Sequence, residues 1–174
     1  MKSNKPNVLL LSAGRRVELI KAIKQELQLH GLRSMMLATD LKPERSAACQ
    51  LADQAFALPH VTAPGYMDQL LELCLQHNVG LIIPTIDTEL LSLAEHRDRF
   101  SAEGIELVIS DESLVGVCRD KRLTAQLFNS VGIDTMLKIG RESAKVSGRS
   151  YEQNPVGDLV AWIVEAQNRV GRKA

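Results

Sequence analysis

Three short clusters in this sequence have residue types that bind or react. Ser12-Ala13-Gly14-Arg15-Arg16 follows an apolar run. Backbone N–H groups at a helix start can hold an anion, and an arginine there adds a charge-assisted hydrogen bond. The plainer reading is a tight turn that needs one glycine, flanked by two solvated arginines. Thr85, Asp87, Thr88 and Glu89 form the second cluster. They suit a polar ligand. They equally suit the cap and first turn of a helix, with Asp or Thr at the cap and acids offsetting the positive helix end. The third is Asp120-Lys121. A lysine in a first helical turn is mildly unfavourable against the dipole, so a phosphate-facing role stands beside the reading of a solvated charge.

Other chemistries find less support. A dinucleotide fingerprint needs three glycines, and only Gly14 is present, although Asp40 sits where a ribose-binding acid would. No Walker A loop occurs. A paired-carboxylate hydrolase would need Asp87 or Glu89 beside Asp40 or Asp111. No Ser–His–Asp or Cys–His set can be placed from spacing. Cys49, Cys74 and Cys118 are far apart and odd in number, as expected of reduced thiols in a reducing cytoplasm. His30, His60, His77 and His96 do not supply short zinc-ligand spacing.

The elements that must position these clusters alternate in type. Val8-Leu9-Leu10-Leu11 is a continuous apolar run and predicts a buried strand. Arg15 to His30 has helical spacing, with Val17, Ile20, Ile23 and Leu27 near one face, and Gly31 stops it. Ser34 to Ala38 predicts a second strand, with Thr39-Asp40 at its end. Lys42 to Asp53 predicts a loop and short helix, and Ala55 to Leu58 a third strand. A helix follows over Tyr66 to His77, ended at Gly80. Leu81 to Ile83 predicts the fourth strand, Asp87 to Phe100 a helix, and Ile105 to Ile109 the fifth strand. Ser110-Asp111 reads as the cap region of Glu112 to Cys118, and Asp120 to Val131 as the last regular helix. Such alternation implies crossover connections and a mainly parallel, doubly wound α/β sheet of Rossmann-like type. Ligands of such sheets sit outside the C-terminal strand ends, where Gly14, Asp40, Thr85, Asp87 and Glu89 fall.

Composition narrows the partners. Lys plus Arg and Asp plus Glu each total 21, so the formal net charge is zero. That balance gives no support to a nucleic-acid or polycationic membrane binder. Aromatic residues make up 3%, too few for a base-stacking platform. No apolar run approaches the roughly 20 residues needed to span a bilayer. Met1 to Asn7 lacks the apolar stretch of a signal peptide. A cytoplasmic protein with no nucleic-acid or membrane partner is therefore expected.

The order of motifs resembles ATP-grasp proteins related to the carbamoyl-phosphate synthase large subunit. The residues that carry this resemblance are Asn7 to Val17, Ala38-Thr39-Asp40, Ala52-Asp53 and Ile83-Pro84-Thr85-Ile86-Asp87-Thr88-Glu89-Leu90. Cys118-Arg119-Asp120-Lys121 through Leu127 to Val131-Gly132-Ile133 completes the set. The resemblance implies a Rossmann-like pre-ATP-grasp domain over 1–118. It implies a linking helix over 119–133 that leads toward an ATP-grasp domain. Family ligases use Mg-ATP to make an acyl phosphate, which an amine or similar nucleophile attacks. By resemblance, Lys121 contacts nucleotide phosphate. Gly14, Arg15, Asp40, Thr85, Asp87 and Glu89 then form the substrate side, and ATP and Mg2+ are the cofactors.

Residues 134–174 do not resemble the ATP-grasp fold. A truncated or frameshifted member, inactive alone, is the expectation that this change suggests. The expected partners are a small-molecule substrate, a second copy of the chain, or a separate chain that supplies the ATP-grasp half. The Leu159-Trp162-Ile163 face of a short helix is expected to cover part of an exposed apolar surface. The alternative is a non-catalytic module that binds a small ligand or nucleotide, or regulates a partner.

Overall fold

The structure, a computed structural model, describes residues 6–133. The divergent tail, with its Trp162 helix, lies outside the described residues. Five strands form one sheet: β1 (Asn7–Leu10), β2 (Met36–Asp40), β3 (Gln54–Ala57), β4 (Val79–Ile83) and β5 (Glu106–Leu107). Their order is β3-β2-β1-β4-β5, and every pairing is parallel. This is the expected doubly wound α/β arrangement. The direction of winding reverses between β1 and β4, which opens a crevice at their C-terminal ends.

The central strand is buried on both sides because its residues are apolar without alternation. Leu9 and Leu11 join a cluster that holds Leu37, Leu70, Ile82, Leu93, Phe100 and Leu107. Val8 and Leu10 face a second cluster with Ala13, Ile20, Met36, Ala38 and Cys49. Burying one such leucine contributes about 1.5–3 kcal/mol. Helix α1 (Val17–Leu29) covers the second cluster through Ile20, Ile23 and Leu27. Helices α2 (Tyr66–Gln76), α3 (Asp87–Glu95) and α4 (Arg97–Ala102) supply residues to the first.

Three local outcomes depart from the sequence reading. The helix expected over Asp87 to Phe100 breaks at His96. The His96 ring donates from Nδ1 to the Ser92 carbonyl at 2.8 Å, while its backbone N–H turns to Leu93. The ring thus takes the carbonyl that would have continued the helix. Gly80 does not end α2; it lies inside β4, and α2 closes earlier through His77. A Cβ on Gly80 would overlap the Pro6 ring, so close approach is what this glycine serves. Strand β5 is only two residues long: Val108 still donates to the Ile82 carbonyl at 2.9 Å, but the Ile109 N–H turns back to the Leu107 carbonyl at 2.9 Å.

The chain divides between Gly116 and Val117. Helix α5 (Glu112–Arg119) starts as expected, with the Asp111 carboxylate accepting from the Leu114 N–H at 2.8 Å. Helix α6 (Lys121–Ser130) is capped by Asp120, which accepts from the Arg122 N–H at 2.7 Å. Among the described residues, no helix is long and apolar enough to cross a membrane.

Candidate functional site

The crevice is built from the turn after β1, the end of β2, the segment after β3, and the start of α3. The first turn begins with Ser12, whose φ is +46°, followed by Gly14 at +50°. A left-handed residue costs a side chain roughly 1–2 kcal/mol, so Gly14 is the least strained choice at its position. Thr85 fastens this turn to the end of β4. Its hydroxyl lies 3.0 Å from the Leu11 carbonyl and 2.8 Å from the Ser12 carbonyl. Ser46 ties the far side by donating to the Gly14 carbonyl at 2.9 Å.

Two N–H groups of this turn, those of Ala13 and Gly14, are engaged within the protein. Ala13 donates to the Thr39 carbonyl at 2.9 Å. Gly14 donates to the Asp40 carboxylate at 2.9 Å. The turn therefore does meet an anion, and that anion is the Asp40 side chain. Gly14 and Asp40, two residues singled out in the sequence, are brought into direct contact.

Glu89 is the most unusual group in the crevice. It lies in the first turn of α3 yet is only 2% exposed. Ile86 occupies the cap position of that helix without a side-chain hydrogen bond, so neither Asp87 nor Thr88 caps it. Glu89 instead turns inward. Its Oε1 accepts from Ser12 Oγ at 2.6 Å and from the Tyr66 hydroxyl at 3.3 Å. Its Oε2 is buried without a hydrogen-bond partner. An unanswered buried acceptor costs about 1–3 kcal/mol, and more if charged. Burial pushes the Glu89 carboxyl above its ordinary value, and nearby Asp40 adds to this. The hydrogen bonds from Ser12 and Tyr66 and the proximity of His60 oppose the rise. Burial, then the Glu89 charge, likewise raises the Tyr66 phenol.

These groups line a cleft of about 390 Å3, including its open mouth. Leu41, Leu58, Pro59, Val61 and Ile86 supply an apolar wall beside Ser12, Thr39, Asp40, His60, Tyr66 and Glu89. Three other sequence-derived residues, Arg15, Thr85 and Asp87, are not part of this lining. Arg15 and Asp87 are exposed, and Thr85 acts from behind the turn. It is the Arg16 guanidinium, not that of Arg15, that reaches the Thr85 carbonyl, at 3.4 Å. Lys121 is exposed at the first position of α6. Sequence reasoning did not select Ser12 or Tyr66. Ser12 stood in the quoted turn, but Tyr66 looked like an ordinary helix start.

The family model described as "PylC-like, N-terminal domain" matches residues 8–108, more than half of the chain. No curated protein matches the sequence. Among solved structures, the biotin carboxylase domain of a single-chain bacterial carboxylase aligns with a TM-score of 0.51 and 22% identity. It covers 83% of this chain and 35% of that one. The biotin carboxylase subunit of pyruvate carboxylase aligns at 0.51 and 18%, covering 74% and 28%. The biotin carboxylase domain of a thermophilic 2-oxoglutarate carboxylase, bound to ADP, aligns at 0.52 and 14%, also covering 74% and 28%. These likenesses show a shared fold. The chain spans about a third or less of the length of each structure.

Proposed function

The chain belongs to the family of PylC-like N-terminal domains, and from that premise we propose that it is the substrate-side domain of an ATP-grasp ligase. Such a ligase activates a carboxylate as an acyl phosphate and then passes it to an amine or ammonia. The observation that carries this reading is the crevice between β1 and β4. It gathers Gly14, Asp40 and Glu89 where an α/β sheet receives its ligand. The sequence resemblance to relatives of the carbamoyl-phosphate synthase large subunit supports the same chemistry. So does the ADP bound to one of the carboxylase domains that share the fold.

In this reading Thr85 and Gly14 shape the turn, and Asp40 and Glu89 meet the substrate. Arg15 and Asp87, exposed near the rim, meet groups outside the cleft. Lys121 contacts nucleotide phosphate. Among the described residues no group of three or more His, Cys, Asp or Glu is placed to hold a metal. In this reading Mg2+ is held by the nucleotide phosphates and by an ATP-grasp portion that the described residues do not include. The thiols Cys49 and Cys74 are buried, and burial raises the latter to about 12; we place the protein in a reducing cytoplasm, as its few, widely spaced cysteines suggest.

Calorimetric titration of the full chain with Mg-ATP tests this. Saturable binding is expected, weakened about 10–100-fold in Lys121→Ala, the range set by losing one hydrogen bond to a charged group. Absence of saturable binding would leave a non-catalytic small-ligand module as the better description.

A further inference from the structure

The two edges of the sheet are finished differently. Along β3, paired with β2 in the register from Leu37↔Gln54 to Asp40↔Ala57, the Leu58 N–H donates to the Asp40 carbonyl at 3.1 Å. Alternate residues of a parallel strand bond to the same neighbour, so Gln54, Phe56 and Leu58 face β2. The N–H and C=O groups of Ala55 and Ala57 point away from the sheet, and both residues are exposed. No charge or proline interrupts Gln54–Ala57, although these are common means of blunting an edge. The β5 edge is closed. There the Leu107 carbonyl accepts from the Ile109 N–H at 2.9 Å, and the Arg97 guanidinium donates to the carbonyls of Ile109 and Ser110, both at 2.8 Å.

We infer that β3 pairs antiparallel with β3 of a second copy of this chain, about a two-fold axis at Phe56. The pairing rests on this edge alone and not on the proposed activity. The strand is its own complement. About that axis Ala55 exchanges both backbone hydrogen bonds with the partner's Ala57, and Ala57 with the partner's Ala55, so all four outward groups are answered. A register centred on Ala55 would need the Asp53 N–H, which already donates to the Met36 carbonyl at 2.8 Å. Small methyl groups meet on one face of the joined sheet. On the other, Phe56 meets the partner's Phe56 at a non-hydrogen-bonded pair, where opposed side chains lie closest. Phe56 is half-buried, its ring centroid 4.2 Å from that of His77. It borders an open groove of about 860 Å3, shared with Glu72, Leu73 and Gln76, that leaves room for a second ring. The formal net charge of zero removes long-range repulsion between copies. With the β5 edge closed, association stops at two copies instead of running on as a filament. Four backbone bonds and one ring pair make a small interface, so the pairing depends on concentration.

The test is sedimentation of the full chain between about 1 μM and about 1 mM, the span over which weak complexes form. A reversible monomer–dimer equilibrium is expected. Two double variants use the same pair of exposed sites. Ala55→Lys with Ala57→Lys sets like charges opposite one another and should weaken the dimer at least about tenfold. Ala55→Lys with Ala57→Asp sets opposite charges there and should keep the dimer or tighten it. Hydrogen exchange at single amides gives an independent measure. The amides of Ala55 and Ala57 should gain protection as the unaltered chain is concentrated, and this measure decides if a variant does not fold. A chain that is monomeric throughout, or that forms species larger than a dimer, overturns the inference. So does a dimer that the double-lysine variant leaves intact, an equal loss in both variants, or exchange at Ala55 and Ala57 that ignores concentration.

Discussion

Glu89 shapes stability as well as recognition. Its carboxyl titrates above the ordinary 4.5 because it is buried. Between those two values the folded protein holds a proton that the unfolded chain has released. The stability linked to this group is thus full at low pH and is lost as pH rises through the folded-state value. Glu89→Gln should therefore melt higher than the unaltered chain at pH 8, by about 2–4 °C for each kcal/mol relieved. At pH 4 the two should melt together. Thermal melts at both pH values check this, and a less stable variant at pH 8 would mean that the ionised carboxylate is well answered. Gly14 offers a second residue-scale prediction. A Cβ there would meet nothing closer than the Ser12 carbonyl at 3.7 Å, so space is not the obstacle. The left-handed backbone is, and Gly14→Ala should cost roughly 1–2 kcal/mol in urea unfolding. A loss well beyond that would point to damage at the Gly14–Asp40 contact.

At the scale of elements, the junction of β1 and β4 depends on one hydroxyl. Thr85 spans the Leu11 and Ser12 carbonyls. Thr85→Val keeps the shape and removes the donor, which should cost about 1–3 kcal/mol. Denaturant unfolding measures the loss, and an unchanged midpoint would show that the turn holds without it. The strands themselves were legible in the sequence, since a short unbroken apolar run such as Val8 to Leu11, closed by a turn, suits a strand covered on both faces. The split of α3 from α4 was not. It arises when the His96 ring captures a carbonyl one turn back, and spacing alone carries no trace of that choice. The site was legible in part. Asp40 and Gly14 could be placed at strand ends, but not in contact. Glu89 looked like a dipole-matching acid in a first turn, a role that exposed acids fill routinely. Its inward turn follows from Ser12 and Tyr66, which lie 77 and 23 residues away in the chain.

For the whole molecule, strand order sets a gradient of rigidity. Strand β1 is central and fully buried, whereas β3 is an edge strand with three of its four residues exposed. Amides of Leu9 and Leu10 should exchange with solvent only through global opening, and those of β3 through local fraying. Hydrogen exchange should find Leu9 slower than Ala57 by orders of magnitude; equal rates would mean that the sheet opens as one unit. The cleft bridges these extremes. Its floor stands on β1 and α3, while Leu58 to Val61, part of its wall, continue directly from β3. Among the described residues no strand pairs with the outer side of β3, and such an edge is where another chain can template. A ligand that joins the floor to the wall would also quiet that edge. Occupancy of the cleft would then be felt in solubility as well as in chemistry.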